Sequence, residues 1–302
     1  MSWLLFGLMA PAVYTLVNYA DKYIISADLV EKRGMPHYGA IVGLLFGTLY
    51  WAILQPAPLP PLKAGLALLA GALTTFGTVL YFQAMALETA SRIIVWLQLT
   101  PILVLGLSWL FLGEMLKWLQ WVGFLLILAS AVGFTLSVGH QNARSKWLSR
   151  PFWLLIASDL LWAISTILLD SIIGHTRYSP VIALESWGIG LGAMILAFFC
   201  PNGLSSFRNS LNALGFRRSV LVFLNESGYL AGKLLTLLAL AFGPAALVSV
   251  LASTQVFFGL VFGWLVMHLA PGVFEEDTSK TGRIRAFALS FLMFGGVWLV
   301  QG

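Results

Sequence analysis

Apolar runs of about 20 residues recur along the whole chain, separated by short polar or proline-bearing breaks. Runs of that length predict membrane-spanning helices. Ten are read, at about 3–24, 36–54, 62–87, 93–112, 118–139, 152–173, 180–200, 219–241, 245–269 and 286–301. The breaks have reasons. Prolines crowd 56–61, and proline cannot continue a helix. Phe242, Gly243 and Pro244 form a tight turn, 201–218 reads as a polar loop, and 272–285 is acidic and then basic. None of the runs alternates apolar and polar positions as β-barrel spans do. The start, Met1-Ser2-Trp3, has no basic leader and no clear cleavage site, so it is expected to be a retained first helix.

The pattern repeats at half the chain length. Residues 77–114 read as two apolar helices joined by a polar elbow at 88–92, and a shift of 155 brings the stretch back. Gly77 then falls on Gly232 and Trp109 on Trp264, with Leu80/Leu235, Ala84/Ala239, Ala86/Ala241, Ala90/Ala245, Val95/Val250, Leu105/Leu260 and Leu110/Leu265 in the same register. A shift of 149 places Asp21 on Asp170, Gly39 on Gly188 and Gly43 on Gly192. A shift of 163 places Gly133 on Gly296 and Gly139 on Gly302, and the longer loop after helix 9 supplies the difference. The chain is therefore expected to hold a first unit at 1–139, a basic linker at 140–150 and a second unit at 151–302. Five helices is an odd number, so the second unit must lie inverted. The predicted fold is an all-α integral membrane protein of ten transmembrane helices in two inverted five-helix repeats. Such repeats are a recurring transporter design, with the substrate site near the midplane.

Composition agrees with that reading. Of the 302 residues 59% are hydrophobic and 10% charged, with mean hydropathy +0.90, whereas soluble domains carry about 25% charged residues. The one cysteine, Cys200, excludes a disulfide framework and a cysteine-based metal site. A net charge of +5 would suggest nucleic acid in a soluble protein, but here it sets orientation instead, and no nucleic-acid partner is expected. Of the 17 Lys and Arg, 13 fall in the loops after helices 1, 3, 5, 7 and 9. Lys63, Lys117 and Arg177 lie elsewhere, and Lys233 lies inside a helix. The positive-inside rule then places both termini outside.

Ionisable groups at membrane depth are costly and mark functional sites. Asp159, Glu185, Glu226 and Lys233 are the candidates. Depth along the helices puts Lys233 and Glu185 on one side of the midplane, where they can pair, and Asp159 and Glu226 on the other. If those two carboxylates approach, one holds a proton near neutral pH. Glu226 and Lys233 are seven apart, so with Tyr229 they share one face of helix 8. The competing readings are a purely structural ion pair for Lys233 with Glu185, solvation near a helix end for Glu185 alone, and hydrogen bonding to neighbouring hydroxyls or waters for Asp159 and Glu226. Tyr14, Tyr81, Gln83, Trp96, Gln98, Trp162 and Gln255 are further inward candidates, and aromatic rings suit cationic or ring-bearing substrates. Ordinary packing is the competing reading for each. Trp118, Trp121, Trp147 and Trp153 sit near span ends as interfacial anchors. Gly39, Gly43 and Gly47 on helix 2, and Gly188 and Gly192 on helix 7, have the small-residue spacing that lets helices approach.

Enzyme readings find no motif. His37, His140, His175 and His268 never take the spacing of a zinc protease, and no P-loop or nucleophile elbow appears. No metal and no cofactor are expected.

Leu112-Gly113-Glu114, followed by Gln120 and Gly123, resembles the signature of EamA-type transporters of the drug/metabolite transporter superfamily. Ala84-Met85, the elbow, and Pro101 in helix 4 fit the same domain. The resemblance covers the chain as two EamA-like units. It implies a multi-pass carrier of the bacterial inner (plasma) membrane, exporting amino acids, metabolites or small drugs. Its expected partners are a small-molecule substrate and the lipid bilayer; the oligomeric state is open, and a monomer fits. The second unit departs from the pattern: His268-Leu269 stands where Gly113-Glu114 would align, with Glu275 and Glu276 in the insertion as possible substitutes. Members of the family with ten helices are usually thought of with both termini inside, against the charge rule. The rival functions are a nucleotide-sugar or sugar-phosphate carrier, a membrane enzyme, and a non-transporting scaffold or sensor.

Overall fold

The computed structural model describes residues 2–26, 34–87, 96–97, 99–138, 149–173, 178–199, 201–259, 261–262 and 280–300. Gln98, Trp147, His268, Glu275 and Glu276 lie outside the described residues. Within them the chain is helical and without strands. The helices are α1 (Ser2–Ser26), α2 (Met35–Leu54), α3 (Pro61–Met85), α4 (Leu99–Leu112), α5 (Trp118–Val138), α6 (Arg150–Ile173), α7 (Tyr178–Phe199), α8 (Pro201–Leu240), α9 (Ala245–Ala252) and α10 (Lys280–Leu299). Five of them, α1, α2, α3, α6 and α7, are long and apolar enough to cross a membrane. Shorter apolar helices occupy Leu99–Leu112, Trp118–Gly133, Ala245–Gly259 and Phe287–Leu299. Leu45, Ile53, Phe111, Phe198, Phe291 and Trp298 are exposed. An apolar outer surface of this kind belongs in lipid.

Two elements differ from the sequence reading. Residues 201–214 form a helical arm rather than a polar loop. Ser206 and Leu214 are buried on one side of it, with Phe207 and Leu211 packed into the same core, while Leu204, Arg208 and Asn212 are exposed. The apolar pattern was present but diluted by serine and asparagine. Gly215, at φ +66° and ψ 171°, separates the arm from the rest of α8. That conformation is open almost solely to glycine. The second difference is a turn at Ser253-Thr254 that interrupts the expected ninth helix. There the Thr254 hydroxyl donates to the Leu251 carbonyl at 2.7 Å.

The principal packing crosses between the halves. α3 packs on α6 and α1 on α8; α3 on α7 and α2 on α8; α4 on α6 and α1 on α9. Each pair becomes the other when a helix is exchanged for the one five places along. The exchange leaves α2 on α7, α5 on α10 and α4 on α9 unchanged, and these helices pack too. Among these, α2 and α7, and α5 and α10, run antiparallel. Gly43 meets Ser186 and Ile189 while Gly47 meets Ala183 and Trp187, and Gly123 meets Gly296 while Gly133 meets Leu289. Gly77 seats the Trp162 ring and Gly232 seats the Tyr14 ring, a similar contact one residue off the repeat register. One core, with Val104, Leu169, Ile182 and Leu237, fills the end of the bundle where α6 finishes and α9 begins. A second, with Ile24, Met35, Tyr38, Phe82, Leu155 and Leu214, fills the opposite end.

Candidate functional site

Between those cores α2, α3, α7 and α8 enclose a small polar centre. A cavity of about 30 Å³ is lined by Gly39 on α2, Thr74, Thr75 and Thr78 on α3, Ile189 on α7, and Glu226 and Tyr229 on α8, with Met35, Pro36 and Phe82 toward the arm. That volume holds a water-sized group. Gly39 makes room for Glu226, since a Cβ there would stand 2.7 Å from the Glu226 Oε2.

The charges divide into separate partnerships. Lys233 Nζ lies 2.8 Å from Glu185 Oε1, with Glu185 1% exposed. Lys233 also donates to Thr74 Oγ1 at 3.4 Å. Thr74 is shared in turn with Ser165 Oγ at 3.0 Å, and Ser165 donates to the Ala70 carbonyl at 2.9 Å. Thr75 donates to the Ile189 carbonyl at 3.0 Å. Tyr229 lines the cavity beside Thr78, and its ring lies 5.9 Å from that of Tyr14, whose hydroxyl is 3.3 Å from Thr236 Oγ1. One helical turn of hydroxyls on α3 therefore serves the charged face of α8.

Asp159 and Glu226 are not brought together. Asp159 on α6 is fully buried and accepts from Thr100 at 2.9 Å, with its Oδ2 unpartnered. Glu226 stands over Gly39, and the residue before it, Asn225, donates from Nδ2 to Asp21 at 2.6 Å. Other candidates sit in packing. Trp162 donates to the Thr74 carbonyl at 3.2 Å and stacks obliquely on Tyr81. Trp96 packs edge-on against Phe152, and Gln83 is exposed. Gln255 offers its backbone carbonyl to Thr15 at 3.2 Å. Trp118, Trp121 and Trp153 are exposed near helix ends. Gly188 meets Leu68, and Gly192 meets Ala72 and Thr75 on α3.

Sequence reasoning passed over Thr74, Thr75, Ser165 and Asn225. Hydroxyls are common in apolar helices, so composition gives no signal for them. The repeat instead marks the charges: Lys233 aligns with Thr78 and Glu226 with Gly71, so neither charge is duplicated. The motif Glu114 proves structural. Gly113 turns the chain at φ +68°, and Glu114 accepts from Ser108 and from the Ala245 backbone N–H at 3.3 Å. It thus caps α9 of the other half, where a carboxylate meets the positive end of the helix.

The fold and this centre define an all-helical membrane protein with ionisable groups held inside its bundle. Residues 1–136 match the model of the EamA-like transporter family. A solved structure titled only "Crystal structure of protein" is similar over 100% of this chain and 98% of its own, with a TM-score of 0.66 and 13% identity. That likeness establishes a shared fold. No curated protein matches.

Proposed function

We propose that this chain is a secondary active transporter of the plasma membrane, exporting small organic metabolites or drugs by alternating access, driven by proton coupling or exchange. Its architecture is ten spans in two inverted repeats, 1–139 and 151–302, joined by the linker 140–150. The carrying observation is the exchange of packing partners between halves, with α2 antiparallel to α7 and α5 to α10, around one polar centre. Two such arrangements of equal topology can alternate about a fixed site. The family match over residues 1–136 supports transport as the activity.

The nucleotide-sugar reading has less support. Among the described residues Lys233 is the one cation beside the cavity, and Glu185 already pairs with it, so a phosphate finds no uncommitted partner. The test is uptake into proteoliposomes of amino acids, amines and nucleotide sugars, with and without a pH gradient. Gradient-driven movement of an organic solute is expected. A scaffold or sensor would move none of them.

A further inference from the structure

The central cavity is the altered twin of a closed contact. Under the repeat, Glu226 corresponds to Gly71 and Gly39 to Gly188. Gly71 and Gly188 are pressed backbone to backbone where α3 crosses α7. At the matching crossing of α2 and α8, the Glu226 carboxyl stands over Gly39 and the cavity opens beside it. One glutamate thus distinguishes the two crossings, and it forms part of the cavity wall.

Among the described residues Glu226 has no counter-ion. Titratable and charged groups on the helices packed around it include Tyr14, Asp21 and Lys22 on α1, His37 and Tyr38 on α2, Tyr81 on α3, Glu185 on α7, and Arg217, Arg218, Tyr229 and Lys233 on α8 itself. Lys233 is committed to Glu185 and lies about 10 Å along the helix from Glu226. His37 stacks on Phe207 of the arm. Asp21 supplies no positive charge. An isolated buried carboxylate is costly, so the site favours a state in which something neutralises it. The walls suit an ammonium head: threonine hydroxyls and a tyrosine hydroxyl accept hydrogen bonds, and the Tyr229 face attracts a cation.

Resting on the transporter reading, we infer that Glu226 binds the ammonium group of an amine-bearing substrate, and that a proton and this cation occupy it in turn. The protonated acid loses its O–H proton as R–NH3⁺ enters, leaving a carboxylate–ammonium pair and one free H⁺. No bond within the amine changes. Each state leaves the site neutral, and the vacant carboxylate is disfavoured, so exchange is coupled by charge alone. The cavity takes the head. Met35, Phe82 and Ile189 offer apolar surface to the start of the tail, and a longer tail requires the α2–α8 crossing to widen.

Purified protein in weakly buffered detergent, with a pH dye, tests this using phenethylamine as probe and N-acetylphenethylamine and phenyl phosphate as comparisons. Phenethylamine is expected to release about one proton per molecule bound, and its affinity to rise about tenfold per pH unit while Glu226 is protonated. The comparisons release none. Glu226→Gln, checked for folding by its melting curve, is expected to abolish release. Release unchanged in that variant, a pH-independent affinity, or tighter binding of phenyl phosphate overturns the inference. If Glu226→Gln does not fold, the pH dependence of the wild-type affinity decides alone. Gradient-driven transport that survives Glu226→Gln would remove this inference and leave the transporter reading intact. Proton release without transport of any solute would do the reverse.

Discussion

At the scale of single residues, the Lys233–Glu185 pair sets the largest local stake. Glu185 is 1% exposed and Lys233 14%, so removing one partner strands a charge in a poorly solvated place. Lys233→Met is expected to lower stability by about 3–5 kcal/mol, read from unfolding in detergent. The double change Lys233→Met/Glu185→Leu should recover most of that loss, because well-packed apolar groups replace a buried pair at little cost. If the double variant were no better than the single one, the pair would not be acting as a unit. Charged residues inside apolar runs stand out in a sequence, which is why Glu185, Glu226 and Lys233 were visible there. The Lys233–Glu185 pairing followed from depth along the helices, but the hydroxyls that serve it did not. Thr74 acquires its meaning only because α3 lies between α6 and α8, a neighbourhood no local pattern encodes.

At the scale of helices, glycine position decides which surfaces can close. A Cβ on Gly71 would run into the backbone of Glu185, Gly188 and Ile189. Backbone cannot swing aside as a side-chain tip can. Gly71→Ala should cost at least about 2 kcal/mol. Gly65, on the same helix, has nothing within 4 Å of a built Cβ, so Gly65→Ala should gain about 0.5–1 kcal/mol from helix propensity. Melting temperatures of the two variants should move in opposite directions, and a matched drop would contradict the close α3–α7 contact. Small-residue spacing in α2 and α7 was legible as packing, but which neighbour each glycine meets was not. Gly43 and Gly47 face α7, while Gly39, on the same stripe, faces Glu226 on α8. The arm at 201–214 escaped notice for another reason: its average polarity is that of a loop, and only the spacing of Phe207, Leu211 and Leu214 marks a helix face.

For the whole molecule, the half-length repeat was readable because glycine and tryptophan kept register across it. The two halves also divide the ends of the bundle. Trp3 near the start of α1 and Val300 after α10 join one apolar cluster, so the two termini lie at the same end. Reporter fusions at both termini should therefore report one side of the membrane together. The loop charges place that side outside; a cytoplasmic signal from both fusions would overturn the charge-based orientation, and opposite signals would contradict the shared cluster.

The break at Gly215 has a mechanical consequence. A continuous helix transmits torque along its axis, but a residue at φ +66° and ψ 171° joins two rods without locking their rotation. The arm is seated through Phe207 on Tyr38, with ring centroids 4.7 Å apart. It can hold that seat while residues 216–240 turn. A rotation of the Glu226 face, were α8 to turn, would be absorbed at the joint and leave the arm in place. Gly215→Ala should stiffen the joint at a cost of about 1–3 kcal/mol, seen as a lower melting temperature with the helical content retained.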